Sequence, residues 1–111
     1  MNLTLLVEKL NLSVVCGGDG LDREVSGGYM GDLLSDVMAN SREGNVWITC
    51  QSHQNIVAVS VLKEHAGIIL VLGKKPDDDT IKKASREGIP LLVTELSGFE
   101  TVGRIYNLLH P

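Results

Sequence analysis

From Asn45 onward the chain repeats one pattern three times: a short, nearly unbroken apolar run followed by a stretch of helical periodicity. The runs are Asn45 to Cys50, Ile68 to Leu72 and Leu91 to Thr94. A strand with no polar alternation is buried on both faces, and that is the mark of a parallel sheet covered by helices. Parallel neighbours also require a crossover between them, which a helix usually supplies. The pattern therefore predicts an α/β fold: a single compact domain spanning residues 1–111, with a mostly parallel sheet of about four to five strands flanked by helices. With 111 residues, 43% of them apolar and only four aromatic, the chain can bury an aliphatic core without disulfide or metal.

The intervening segments fit. Leu3, Leu5, Leu6 and Leu10 with the polar Glu8-Lys9 suggest a short amphipathic helix, with Thr4 or Asn2 near its start. Leu12 to Cys16 reads as a first strand, and Gly17-Gly18-Asp19-Gly20 as a turn and a weak candidate for a phosphate loop. Glu24 to Ser26 reads as a short extended run ending in a Gly27-Gly28-Tyr29 turn. Asp32 to Asn40 is then expected to be helical, with Leu33, Leu34, Val37 and Met38 on one face. Between Ser52, the expected cap, and His65 the β-branched residues favour strand by local propensity. Ile56, Val59, Val61 and Leu62 do not alternate, and a crossover is required here, so this segment is expected to be a helix. Asp77 to Glu87 is a charged helix closed by Gly88, and Gly98 to Leu109 a last helix.

Charge and composition exclude several functions. The net charge is −4 with acids and bases mixed, so the basic stripe of a nucleic-acid binder is missing. No apolar run reaches the ~18 residues of a membrane span, and no signal peptide opens the chain. A cytoplasmic protein with reduced Cys16 and Cys50 is the expectation. Gly73-Lys74 is the only Gly-Lys pair, but Ile68 stands where a Walker loop needs glycine, and Lys75-Pro76 follow where it needs a hydroxyl. His53, His65 and His110 form no zinc spacing, and Cys50 with His53 makes two ligands at most. No metal, cofactor or catalytic set is expected.

What remains is positional. In open parallel sheets, ligands sit beyond the carboxyl ends of the strands. Those ends are expected to carry Gly17 and Gly18, then Thr49, Gln51, Ser52, His53 and Asn55, then Gly73 and Lys74. A helix N-terminus at the second of these offers free N–H groups to an anion; a capped helix in a solvated turn is the plainer alternative. Asp32 and Asp36, four apart, are expected on one helix face, where Arg23 could pair with either.

Asp22-Arg23 followed by Ser26-Gly27-Gly28 and Gly31-Asp32-Leu33-Leu34 resembles the DRTGG domain family. Trp47-Ile48-Thr49, His53 to Val57 and Gly88-Ile89-Pro90 look like that family too. Glu24 and Val25 intervene in the name-giving motif, and Ser26 replaces its threonine. The resemblance implies a module similar to the N-terminal domain of HPr kinase/phosphorylase. Such modules are also appended to CBS-containing pyrophosphatases and phosphotransacetylases, where they look regulatory or dimer-forming. The expected function is thus a non-catalytic regulatory or ligand-sensing module, homodimeric through the second helix or the Gly27-Gly28 segment. Its expected ligand is an anionic small molecule such as a nucleotide, bound around Gly17, Gly18, Arg23, Ser26, Gly27, Gly28, Asp32 and the strand-end residues above. The alternatives are a protein-interaction module docking a larger enzyme and, behind it, a small enzyme using Asp32, Asp36 or His53.

Overall fold

The computed structural model describes residues 1–111. Its elements run α1 (Leu3–Leu10), β1 (Ser13–Cys16), β2 (Gly27–Met30), α2 (Leu34–Asn40), β3 (Asn45–Thr49) and α3 (Asn55–Lys63). They continue with β4 (Gly67–Leu70), α4 (Asp78–Glu87), β5 (Leu91–Val93) and α5 (Gly98–Leu109). The strands form one sheet in the order β1-β5-β4-β3-β2. β2 through β5 are parallel, whereas β1 pairs antiparallel with β5.

Alternate residues of the central strands feed two cores. Val46, Ile48, Ile69 and Leu92 face α1 and α5, packing with Leu3, Leu6 and Ile105. Trp47, Ile68, Leu70 and Leu91 face α2, α3 and α4, packing with Val37, Ile56, Val57 and Ala84. This is a three-layer sandwich, and every residue of β3 and β4 is buried. α3 shows why the helix forms against local propensity. Burial of Ile56, Val57 and Val59 contributes about 1.5–3 kcal/mol each. A β-branched residue forfeits only a few tenths of a kcal/mol, up to ~0.7, in a helix.

Three expectations fail here. Gly27-Gly28 is not a turn but the first half of β2, paired with Asn45 and Val46. Neither glycine takes a positive φ; both serve where the strand runs bare along the sheet edge. The extended run Glu24 to Ser26 is only a lead-in, with Val25 N–H bonded to the carbonyl of Met1. α2 starts at Leu34, not Asp32, and buries Val37 alone of its expected apolar face, leaving Leu33 and Met38 exposed. The side chain of Asp32 is drawn to β3 instead.

Candidate functional site

The carboxyl ends of β2, β3, β4 and β5 meet in one polar rim. Asp32 lies at its centre. Its Oδ1 accepts the Thr49 hydroxyl at 2.8 Å and the Cys50 N–H at 3.0 Å, while its carbonyl accepts from Gln51 Nε2 at 3.1 Å. These donors, the Cys50 N–H foremost, hold the Asp32 carboxyl below its usual pKa, so it is an anion at neutral pH. Burial, reinforced by the bond to Asp32, pushes the Cys50 thiol up, with Lys74 pulling it back. Cys50 is therefore a thiol, not a ready thiolate.

The rim continues to β4 and α4. Ser52 is not the cap of α3. Its carbonyl accepts the Asp77 N–H at 3.1 Å and the Thr80 hydroxyl at 2.6 Å, tying the β3–α3 loop to the start of α4. His53 Nδ1 lies 3.2 Å from Asp77 Oδ2 across the same junction. No side chain caps either α3 or α4. In α3 the Ile56 and Val57 amides bond to the carbonyls of His53 and Gln54. The open amide donors at this end are therefore chiefly those of α4, with Lys74 and Lys75 in the loop between β4 and α4. That loop turns through two consecutive left-handed residues, Leu72 at φ 59° and Gly73 at φ 64°. Glycine adopts this freely; leucine does not. Here it holds because the Leu72 and Gly73 amides bond to the carbonyls of Leu96 and Thr94. The side chain of Glu95 lies directly over Gly73.

Asp32, Thr49, Gln51, Ser52, His53, Asn55, Gly73 and Lys74 thus share the rim, as the strand-end rule expects. The other expected site residues do not. Because β1 runs antiparallel, Gly17 and Gly18 emerge at the opposite end of the strands, where Gly17 packs against Ile89 and Pro90. Arg23 lies there as well. Its Nη2 donates to the Gly88 carbonyl at 2.8 Å, at the end of α4, and Nη1 to the His65 carbonyl at 3.4 Å. It pairs with neither Asp32 nor Asp36. The Ser26 hydroxyl donates to the Glu43 carbonyl at 2.7 Å, also at the end of the strands away from the rim. Asp36 accepts from the Tyr29 hydroxyl at 2.7 Å and from Asn40, so the two aspartates face different neighbours. That bond raises the Tyr29 pKa, keeping the phenol protonated.

Two features escaped the sequence. One is a buried chain at the opposite end of the strands. The Ser60 hydroxyl meets His65 Nδ1 at 2.9 Å, and His65 Nε2 meets the Ser41 hydroxyl at 2.9 Å. Ser41 in turn donates to the Val37 carbonyl at 2.6 Å. The direction of that last bond fixes the imidazole: Nε2 carries the proton and Nδ1 accepts. Burial drops the His65 pKa from 6.5 to about 4, with Lys63 adding to the drop. The other is an apolar cavity of about 280 Å³ between β2 and α5, floored by Gly27, Gly28 and Ile48 and walled by Val102, Ile105, Tyr106 and Leu109. The Gly-Gly pair of the motif is thereby accounted for, on the outer edge rather than at the rim.

With the fold and its motif residues in place, the family follows from one observation. The model of the DRTGG domain matches residues 5–108. The chain belongs to the DRTGG domain family. The fold of this DRTGG domain is also that of a solved structure. It is similar to the CBS and DRTGG domains of the regulatory region of Clostridium perfringens pyrophosphatase, solved with the activator diadenosine tetraphosphate, with a TM-score of 0.74 and 15% identity. The match covers 94% of this chain and 45% of that one, so the chain spans less than half of the structure it resembles. Comparison with curated proteins gives no match. No helix of this DRTGG domain is long and apolar enough to cross a membrane.

Proposed function

We propose that this DRTGG domain is a non-catalytic regulatory module, homodimeric and cytoplasmic, that senses an anionic small molecule at the strand-end rim. The observation that carries the reading is the convergence of two helix N-termini without side-chain caps, those of α3 and α4, on a loop bearing Lys74. Open amides at the start of α4 and a lysine form the kind of surface a phosphate group satisfies. The left-handed Leu72 at the same rim supports it, since strain is retained where the shape of a loop matters. A nucleotide is the first ligand to test, because the similar pyrophosphatase regulatory region was solved with a nucleotide activator.

Regulation rather than catalysis fits the acid at the centre of the rim. Asp32 is committed to Thr49 and Cys50 through one oxygen and is held ionised. A general acid or base needs a pKa near the working pH, and Asp32 is moved away from it. The two free thiols, Cys16 and Cys50, suit a reducing compartment. A second reading has its own support: the exposed apolar groove beside α5 suits a module that docks a larger enzyme.

The test is thermal unfolding with AMP, ADP, ATP and diadenosine tetraphosphate. A ligand at about one hundred times its Kd adds ~2.7 kcal/mol of stability. The shift is expected to vanish in Lys74→Ala and to shrink in His53→Ala. Absence of a shift with all four nucleotides overturns the nucleotide assignment and moves the domain to the docking reading.

A further inference from the structure

The cavity beneath α5 and a neighbouring depression of about 420 Å³ share Met30, Val102 and Tyr106, so they form one continuous apolar groove along the outer edge of the molecule. One end is a hole. Gly28 points toward Val46 and Ile48 with only ordinary contacts around the position of a Cβ, so the hole is the space of a missing side chain. The other end is a knob. Phe99, at the start of α5, is 91% exposed, beside a half-exposed Met30 and an exposed Tyr106. Single exposed apolar residues need no explanation, but a contiguous patch beside a cavity does. β2 closes the sheet with no strand beyond it, so nothing in the chain covers this edge.

We propose that the occupant of this groove is a second copy of the same chain, related by a two-fold axis near Val102, with its α5 antiparallel across the first and its Phe99 seated over Gly28. The proposal rests on the homodimeric reading above and deepens it by naming the surface. A two-fold contact requires a patch complementary to itself. Here the knob and the hole lie at opposite ends of one groove, about seven residues or ~10 Å apart along α5. Rotation about the middle places each knob in the other copy's hole, and each copy completes the partner's cavity. Gly103, beside the axis, has nothing within 4 Å of the position a Cβ would take, which lets two helices approach closely. The charges agree with the rotation. Glu100 and Arg104 stand one turn apart on the exposed face, 3.1 Å from each other within the helix. An antiparallel α5 brings Glu100 of each copy to Arg104 of the other, so the rim is complementary to itself in charge as well as shape.

Sedimentation velocity across a concentration series tests this. The wild type is expected to dimerise. Phe99→Glu, a change at an exposed side chain, and Gly28→Val, a change in a strand with room for a Cβ, should each weaken dimerisation at least about tenfold with unchanged circular dichroism. Glu100→Arg and Arg104→Glu should each impair self-association, and mixing the two variants should restore a dimer. That mixture pairs opposite charges between copies while the pair within each helix stays broken, so it isolates the contact between chains. A wild-type dimer indifferent to Phe99→Glu and to the mixing experiment overturns this surface and leaves a homodimer formed elsewhere. A wild type that stays monomeric overturns both the surface and the homodimeric reading. The nucleotide shift and its loss in Lys74→Ala are measured independently of either result.

Discussion

Asp32 accepts the hydroxyl of Thr49 at 2.8 Å, and this single bond joins the end of β2 to the end of β3. The same carboxylate oxygen takes the Cys50 N–H, and Thr49 in turn accepts the N–H of Gln51 at 3.2 Å. One acid thus sets the course of the loop that leads into α3. Hydrogen bonds to a charged group contribute about 1.5–3 kcal/mol, so Asp32→Ala is expected to cost ~2 kcal/mol in urea unfolding. Its pH dependence has a definite sign. The folded carboxyl titrates below 3.8, its unfolded value. Its contribution is present above 3.8 and is lost as pH falls through the depressed folded value. Unfolding of Asp32→Asn, compared with wild type between neutral pH and strong acid, should lack that acid-side loss.

His65 sets a second pH window. The imidazole is buried and neutral between Ser60 and Ser41, with its pKa at about 4 against 6.5 for the free side chain. The unfolded chain therefore binds a proton that the folded chain refuses. Stability contributed by the neutral ring is complete above pH 6.5 and declines as pH falls toward 4. At ~1.4 kcal/mol per pKa unit the loss across that window reaches about 3 kcal/mol. Trp47, the sole tryptophan, packs with its ring centroid 5.6 Å from His65 and reports unfolding by its fluorescence. His65→Asn should be less stable at neutral pH and should flatten the slope between pH 4 and 6.5. A wild-type stability independent of pH over that range would contradict the assignment.

Arg23 belongs to the name-giving motif, yet it spans to the far ends of α3 and α4 rather than to any rim residue. It satisfies a carbonyl at the C-terminus of α4, where a cation also meets the negative end of the helix dipole. Arg23→Ala should lower stability by about 1–2 kcal/mol and leave any nucleotide-induced stabilisation unchanged. Arg23→Lys should recover only part, since one ammonium cannot repeat the fork that reaches both Gly88 and His65. Loss of the nucleotide shift in Arg23→Ala, measured at a temperature where the variant is folded, would return this residue to the binding site.

The sheet was legible because its physics is local. Ile68 to Leu72 and Asn45 to Cys50 are apolar on both faces, and burial on both faces occurs only between layers. The rim from Thr49 to Asn55 followed from the same reasoning, as strand ends in a parallel sheet point one way. What stayed hidden was direction and pairing. Nothing in Leu12 to Cys16 says that β1 runs against β5, and that reversal alone carries Gly17 and Gly18 to the wrong end of the strands. Gly27-Gly28 reads as a turn because glycine is depleted in strands, and only the paired register with Asn45 and Val46 reveals a strand. Asp32 was misread for a similar reason. An aspartate before an apolar run signals a helix cap, whereas its acceptor capacity is spent on β3, which lies next to it in space but seventeen residues away in sequence.

The glycines after β1 offer the sharpest contrast between a phosphate loop and a structural turn. Gly17 takes φ 78°, and a Cβ there would stand 2.6 Å from the Ile89 carbonyl oxygen and from Pro90 Cα, both backbone atoms that cannot yield cheaply. Gly18 has nothing within 4 Å of the same position. A turn that serves only packing should therefore separate the two. Gly17→Ala combines left-handed strain with a backbone clash and should cost more than ~2 kcal/mol, while Gly18→Ala should stay within about 0.5 kcal/mol of wild type. Both should leave the nucleotide shift intact, because this turn lies across the sheet from Lys74. Were the turn a phosphate cradle, Gly18→Ala would spare stability and abolish the shift, since an added methyl in open space obstructs a ligand and nothing else. Chemical unfolding and nucleotide titration of the two variants together decide between these cases, and the structure places the turn with Pro90 and the core.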